Sequence, residues 1–295
     1  MSESQGLYYN LPVKKIDVGE ASIAIRQIGK GPDFLFIHGF PTHGYTWRHL
    51  LPTLSAHFTC HILDLPGLGN SEWSSSTKFS SGDQAEYITR LLEILEIDQC
   101  HIIAHDSGAT VARALALKSA STVKSLILLN TEMPFHRPPW IPFYQRIGLL
   151  PGVTSIIRRL LKQKWFLRSS MGFRELYADK SLLEKRENIE PYISQIIKSK
   201  ERAIGAFKYL KGIDWQLIDE FVTLHREIEA KVLFIWGVQD KTFPISEAIK
   251  MKDQFKPEPI FIEIPNASLL PHEEKPDEVA KHVLRFLQLH RNQDQ

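Results

Sequence analysis

Short apolar segments alternate with helical patterns along the first half of the chain, and this alternation limits the possible folds more than any other feature. The apolar segments have the length and residue content of buried strands. We expect strands at Ala21–Ile28, Phe34–His38, Thr59–Leu63, His101–His105 and Val123–Leu129. Apolar side chains at helical spacing separate some of them, at Ser81–Ile97 and from Gly108 to about Leu117. The pattern predicts an α/β protein with a mostly parallel sheet and helices on both faces.

A long segment without strand patterns interrupts this alternation. It spans 134–228 and opens with four closely spaced prolines, Pro134, Pro138, Pro139 and Pro142, which disfavour a regular element. The sheet pattern then resumes, with Lys231–Trp236 (strand), Ile245–Phe255 (helix), Pro259–Ile264 (strand) and Pro276–Leu289 (helix). We therefore predict one α/β core formed by 1–133 and 229–295, with a helical cap inserted at 134–228.

Composition excludes several classes of protein. Hydrophobic residues make up 43% and charged residues 24% of the 295 residues, which fits a globular chain and not a disordered one. The net charge of +2, without a long basic run, gives no reason to expect nucleic-acid binding. The two cysteines, Cys60 and Cys100, suggest neither a disulfide framework nor a metal site. We expect no cofactor, no signal peptide, no stable membrane insertion and a cytoplasmic location.

The segment around Asp106 has the pattern of a nucleophile elbow, a sharp turn that lifts a reactive side chain above the sheet. It lies between a predicted buried strand and a predicted helix, and reads Ala-His-Asp-Ser-Gly-Ala from position 104. Small residues stand two positions before and two after Asp106, as the crowded turn requires. Centring the turn on Ser107 would put His105 where a small residue is needed. The alternative is an ordinary turn in which Asp106 caps the helix.

A second turn could supply donors for an oxyanion. It follows the predicted strand at Phe34–His38 and contains Gly39, which permits an unusual backbone. The N–H of Phe40, with that of Ser107, could then form an oxyanion hole. His38 is interpreted as a structural residue, or as one that borders the substrate, and not as a catalyst.

The second half of the chain offers partners for Asp106. Asp240 follows the predicted strand Lys231–Trp236, at the sheet edge where open α/β sheets place their chemistry. His272 lies between the last predicted strand and the last predicted helix. The order nucleophile, acid, histidine is one of the chain orders in which hydrolases carry a catalytic triad.

Four motifs in this order give the chain its resemblance to a known family. They are HGFPT at 38–42, DLPGLGNS at 64–71, AHDSGA at 104–109 and WGVQD at 236–240. From about Ile16 to Leu289 the chain resembles a capped α/β-hydrolase, specifically the epoxide hydrolase and haloalkane dehalogenase group. The resemblance implies Asp106 as nucleophile, Asp240 as acid and His272 as base. Glu132 is a second candidate for the acid.

An aspartate nucleophile favours displacement at saturated carbon, which would leave an alkyl ester on Asp106 for water to hydrolyse. The resemblance implies that Tyr144 and Tyr209 of the cap activate an epoxide oxygen. Dehalogenation is the first alternative. It is weakened by Ser107, which replaces the aromatic residue that usually follows the nucleophile and binds the halide. Trp140 and Trp165 could bind a halide instead. A ligand-binding protein without catalysis is the second. We expect a small apolar substrate and water as partners, in a monomer or homodimer.

Overall fold

The computed structural model describes residues 2–291, which form one sheet with helices on both faces. Nine strands are present in this part of the chain, in the order β1-β2-β4-β3-β6-β7-β8-β9, with the short β5 paired to β2. The strands from β4 to β9 along this order run parallel, and β2 is antiparallel to β1, β4 and β5. Their bounds are Lys14–Asp17 (β1), Ala21–Ile28 (β2), Asp33–Ile37 (β3), Thr59–Asp64 (β4), Glu72–Trp73 (β5), Cys100–His105 (β6), Val123–Leu129 (β7), Lys231–Gly237 (β8) and Ile260–Ile264 (β9).

Helices cover both faces of this sheet, and the prediction of an α/β-hydrolase architecture is confirmed. Leu115 of α4 lies in the apolar core on one face, and Val283 of α13 lies in the core on the other. The helices of the core are Glu3–Asn10 (α1), Leu51–Leu54 (α2), Ser81–Ile94 (α3), Ser107–Lys118 (α4), Ile245–Lys252 (α11), Pro271–Glu274 (α12) and Pro276–Arg291 (α13). No helix in the described residues combines the length and apolar character needed to cross a membrane.

Six α-helices lie between β7 and β8, where the sequence predicts the cap. They are Trp140–Ile147 (α5), Val153–Leu160 (α6), Lys164–Leu167 (α7), Arg186–Ile197 (α8), Lys200–Lys211 (α9) and Trp215–Leu224 (α10). Helix α9 lies close to the core: Arg202 donates hydrogen bonds to the carbonyls of Gly69 and Ser71, and the backbone of Gly205 lies against the ring of Trp73. The cap is therefore anchored along one side by α9.

Some elements differ from the sequence prediction for physical reasons. Strand β1 and helix α1 are not predicted, because β1 is largely exposed and α1 buries only Gln5 and Tyr8, so neither has a clear apolar pattern. Helix α3 ends at Ile94 and not at Ile97, and Glu96 has a left-handed backbone with φ of 56°.

Candidate active site

Asp106 occupies a strained turn between β6 and α4. Its backbone has φ of 54° and ψ of −136°, a conformation that is costly for a residue with a side chain. A Cβ atom on Gly108 would collide with the carbonyl of His38, and one on Gly39 would collide with Asp106 itself. The two glycines therefore allow the strands to approach closely enough to form the predicted elbow.

One oxygen of the Asp106 carboxylate is held by three donors. The backbone N–H of Phe40 lies 2.9 Å from Oδ1, and the backbone N–H of Ser107 lies 2.6 Å from it. The Ser107 hydroxyl also donates to Oδ1, at 2.9 Å. No hydrogen bond from a described residue reaches the second oxygen, Oδ2. The arrangement holds one oxygen where negative charge can be stabilised and leaves the other for attack.

Of the two tyrosines named from the sequence, Tyr209 alone has its hydroxyl next to the nucleophile turn. Its hydroxyl lies 3.0 Å from Ser107 Oγ, and its ring stacks on Phe40 with 6.3 Å between ring centroids. Burial raises the pKa of Tyr209 far above its usual range, so the phenol keeps its proton. The hydroxyl of Tyr144 instead donates to the carbonyl of Met171 at 3.1 Å, which contradicts its expected role at the epoxide oxygen.

His272 does not form the predicted triad. Its Nε2 lies 2.7 Å from Thr46 Oγ1, and its Nδ1 is buried without a hydrogen-bond partner among the described residues. Because the Thr46 hydroxyl donates to Glu273 at 2.9 Å, Nε2–H of His272 must donate to the Thr46 oxygen. Neither ring nitrogen bonds to Asp240 or Asp106, and the prediction of His272 as the base is wrong.

The position of a helix start explains this error. Pro271 is the first residue of α12, so His272 lies within that helix and not in the loop before it. The loop residue that faces the cap is Leu269, which lines the same cavity as Phe40 and Thr242. Its carbonyl accepts a hydrogen bond from His105 Nε2 at 2.8 Å, next to the nucleophile. Pro271 was the sequence signal that could have shown that a helix begins before His272, which leaves Leu269 as the loop residue at this place.

Asp240 is buried and bonds to groups other than histidine. Its Oδ1 accepts from the backbone N–H groups of Thr242 (2.7 Å) and Phe243 (3.1 Å), and its Oδ2 accepts from the Asn130 amide at 2.8 Å. Burial raises the pKa of Asp240 to about 7; the hydrogen bonds oppose this shift, and the charge of Asp106 adds to it. The structure therefore has an acid at the predicted position but no imidazole for it to orient.

Glu132, the second candidate for the acid, also has no histidine partner. Its Oε2 accepts from the hydroxyls of Thr110 (2.9 Å) and Thr131 (3.2 Å), and its Oε1 is buried without a partner among the described residues. Burial raises the pKa of Glu132, and the charge of Asp106 raises it further. The side chain is a buried acid near Asp106 and not a partner of His272.

His38 is a structural residue. Its Nε2 accepts from the backbone N–H of Leu65 at 2.9 Å, so its Nδ1 carries the proton and donates to the carbonyl of Gly39, also at 2.9 Å. Burial lowers the pKa of His38 to about 4, so the ring is neutral near pH 7. Both nitrogens are occupied by backbone groups, which contradicts the expectation that His38 binds substrate.

A small apolar cavity lies between the cap and the nucleophile turn. It holds about 90 Å³ and is lined mainly by apolar cap residues, among them Trp140, Tyr144 and Phe207. Phe40, Pro41, Thr242 and Leu269 form the part of its wall that belongs to the core, whereas Asp106 itself does not line it. Trp165 is 63% exposed and is not part of the wall, so the expectation that it contacts substrate is wrong. Among the described residues, no cluster of potential ligands could hold a metal ion.

Comparison with known proteins places the chain among related sequences. A model of the alpha/beta hydrolase fold matches residues 32–276. The pimeloyl-[acyl-carrier protein] methyl ester esterase of Aeromonas hydrophila is 33% identical over 48% of this chain; the match spans 52% of that protein, about half its length. Epoxide hydrolase 3 of Siraitia grosvenorii is 26% identical over 92% of this chain and 96% of its own. The solved structure titled "Epoxide hydrolase CorEH without ligand" superimposes with a TM-score of 0.77, at 20% identity, over 95% of this chain and 99% of that one.

Proposed function

Since this chain belongs to the α/β-hydrolase fold family and is a hydrolase of that fold, we propose that Asp106 attacks a saturated carbon of a small apolar substrate, most directly an epoxide. The observation that carries the proposal is that the two oxygens of the Asp106 carboxylate have different hydrogen bonding. Oδ1 is held by the N–H groups of Phe40 and Ser107, and Oδ2 has no hydrogen bond among the described residues. The product of the attack is an alkyl ester on Asp106.

Tyr209 supports an epoxide as the substrate. In the attack, a bond forms between Oδ2 and an epoxide carbon, the bond between that carbon and the ring oxygen breaks, and the oxygen becomes an alkoxide. An alkoxide is a poor leaving group that needs a proton, and the Tyr209 phenol, 3.0 Å from Ser107 Oγ, can supply it. The raised pKa of Tyr209 means that the phenol is protonated at neutral pH, as a proton donor must be.

The two relatives described above have names that imply different substrates, and the chemistry of aspartate favours one of them. Attack of a carboxylate on a carboxylic ester would produce a mixed anhydride, which is less stable than the ester consumed. Because Asp106 occupies the nucleophile turn, we do not expect this chain to share the ester substrate named for the Aeromonas relative. Attack on an epoxide produces an ordinary ester and releases ring strain, which agrees with the name of the Siraitia relative.

Mass spectrometry of the intact protein tests this proposal. After incubation with styrene oxide, we expect either diol in solution or a gain equal to one styrene oxide, located on Asp106 by peptide mapping. Asp106→Asn should give neither product, and Tyr209→Phe should slow the epoxide reaction while leaving the reaction with 1-bromobutane nearly unchanged. Bromide release without any epoxide reaction would favour dehalogenation, for which Trp140 in the cavity wall is the available indole.

Ligand binding without chemistry is the second candidate function. It is favoured by one observation: the cavity between the cap and the core is lined by Leu269 and by no histidine. Recovery of unmodified protein, with no diol and no bromide, would select this alternative. Binding of unreacted styrene oxide, measured by calorimetry, would then be expected with wild type and Asp106→Asn alike.

A further inference from the structure

We propose that the ester on Asp106 is long-lived, so that the protein captures its substrate covalently, about one molecule per chain, and releases it slowly. The inference rests on the proposed function, because it concerns the fate of the ester which that function forms. It follows from the place where a triad would hold its histidine.

Leu269 occupies the place between the nucleophile and the buried acid. Its carbonyl accepts from His105, the residue before Asp106, and its side chain lines the cavity together with Thr242, two residues after Asp240. The adjoining backbone of this loop packs on the acid loop, since Gln239 donates to the carbonyl of Ala267 at 2.9 Å. A leucine side chain can neither accept a proton nor orient water.

His272 cannot serve from its observed position. The ring is fully buried, lies against Trp47 with 4.6 Å between ring centroids, and donates through Nε2 to Thr46. Burial lowers the pKa of His272 far below its usual range, and the neighbouring His105 and Arg48 lower it further. Its other nitrogen, Nδ1, is buried without a hydrogen-bond partner among the described residues and makes no bond to Asp106 or Asp240.

The other buried titratable groups near Asp106 are equally unsuited. Both Asp240 oxygens already accept hydrogen bonds, and His105 donates through Nε2 to Leu269. The other nitrogen of His105, Nδ1, is buried without a partner among the described residues, and burial lowers the pKa of this ring, which makes it a weak base. Oε2 of Glu132 accepts from Thr110, and its Oε1 is buried without a partner among the described residues; burial raises the pKa of this carboxyl, which favours its protonated form. No described residue is therefore placed as a base for water beside the ester.

The missing base affects only the second reaction step. Hydrolysis forms a bond between water oxygen and the Asp106 carboxyl carbon, and the oxyanion is held by Phe40 and Ser107. The bond from that carbon to the alkyl oxygen then breaks, and the proton lost by water passes to the departing alcohol. A positioned base accelerates such a step by about 10²- to 10⁴-fold, whereas formation of the ester needs none. Ester formation is thus preserved while its removal is slowed.

The lifetime of the adduct on the wild-type protein is the decisive measurement. The chain is incubated with styrene oxide, freed of excess reagent, and followed by intact mass at neutral pH. We expect one adduct per chain on Asp106 that persists for hours. Repeated turnover to diol without accumulation would overturn the inference while leaving the proposed function intact. Neither adduct nor diol would overturn both.

Two variants identify the cause of the long lifetime. Leu269→His places an imidazole between Asp106 and Asp240, and we expect it to shorten the adduct lifetime by at least tenfold. His272→Gln serves as the matched control, because neither ring nitrogen of His272 bonds to Asp106 or Asp240, and it should leave the lifetime unchanged. A longer lifetime in His272→Gln would mean that His272 is the base after all and would refute the inference. The wild-type lifetime decides the matter even where Leu269→His does not fold.

Discussion

Ser107 joins the nucleophile to the proton donor. Its hydroxyl donates to Asp106 Oδ1 at 2.9 Å and lies 3.0 Å from the hydroxyl of Tyr209. Ser107→Ala removes both contacts, together with the hydrogen bond that Ser107 Oγ accepts from the backbone N–H of Phe40 at 3.1 Å, but keeps the backbone N–H of Ser107 in the oxyanion hole. One hydrogen bond contributes about 0.5–1.5 kcal/mol, so we expect adduct formation with styrene oxide to slow by roughly 2- to 12-fold.

The reaction with 1-bromobutane provides the internal control for Ser107→Ala, because bromide leaves without a proton. Its rate should change less than the epoxide rate, both being measured as adduct formation by intact mass. Ser125→Ala, at a buried serine in β7, should alter neither rate. Equal slowing with both substrates would show that Ser107 acts on Asp106 alone and not through Tyr209.

At the scale of single residues, the nucleophile turn could be predicted from the sequence and the histidine could not. The turn depends on contiguous small residues around Asp106, because the strain of its backbone, with φ of 54°, excludes bulky neighbours. The role of His272 depends on which of two adjacent segments, a loop or α12, contains it. Because His272 lies in α12 and not in the loop, its side chain contacts Thr46 and does not line the cavity.

A buried ion pair anchors the cap to the core at the level of elements. Glu273 of α12 pairs with Arg48, with 3.0 Å between Nη1 and Oε1, and both side chains are only 1% exposed. Two cap tyrosines donate to the same carboxylate, Tyr177 at 2.6 Å and Tyr192. Burial raises the pKa of Glu273, but Arg48 and these two hydroxyl donors have the larger combined effect, so the pKa of Glu273 is lowered. None of these partners is near Glu273 in sequence, so the pattern alone could not reveal the network.

Glu273→Gln should destabilise the fold strongly. The change leaves Arg48 charged and buried without a counterion, which costs about 3–5 kcal/mol when one member of a buried pair is removed. The free energy of unfolding from denaturant titration measures the effect. As a control, Glu190→Gln breaks an exposed pair with Arg186 on α8 and should cost at most about 1 kcal/mol. Similar losses in both variants would contradict the role of Glu273 as an anchor.

The approach of α9 to the core depends on a glycine. A Cβ atom on Gly205 would collide with the ring of Trp73, and Tyr209 lies one turn further along the same helix. Gly205→Ala should therefore reduce the free energy of unfolding by about 1–3 kcal/mol and slow adduct formation, because α9 must move away. Gly6→Ala in α1, where nothing lies within 4 Å, should instead stabilise the protein by up to about 1 kcal/mol. Unchanged stability and rate in Gly205→Ala would mean that α9 accommodates the methyl group without moving.

For the whole molecule, the alternation of strands and helices determined what could be predicted. The parallel strands β3, β6, β7 and β8 are buried on both faces and read as continuous apolar segments, so their order along the chain was evident. The cap is held by contacts between distant residues, and the sequence predicted an insertion at 134–228 but not which of its side chains face Asp106. Tyr144 and Tyr209 looked equivalent until the packing of α5 and α9 separated them.

Burial of neutral histidines makes the stability of the whole fold depend on pH. Among the residues that the structure describes, burial lowers the pKa of six histidines: His38, His43, His49, His105, His225 and His272. Each takes up a proton in the unfolded chain below about pH 6.5 but resists it in the folded chain, so acid favours unfolding. Asp240, with its pKa raised to about 7, acts in the opposite direction, because the folded chain binds its proton more tightly. The histidines outnumber such acids, and we expect stability to fall as the pH drops below 6.5.

His38 allows one of these contributions to be isolated. The pKa of His38 is about 4 in the folded chain and about 6.5 in the unfolded chain. The contribution of the neutral ring to the free energy of unfolding is therefore fully present above about pH 6.5. It is lost as the pH falls to about 4, and the loss is on the order of 3 kcal/mol. Glutamine can both donate and accept, so His38→Gln can bond to Gly39 and Leu65 without titrating. The variant should be less stable than wild type at pH 7.5, but its free energy of unfolding should fall less steeply from pH 6.5 to 4.5. His57→Gln changes an exposed ring and is the control; its free energy of unfolding should fall with pH as steeply as that of wild type. An equally steep fall in His38→Gln would show that protonation of His38 does not limit stability in acid.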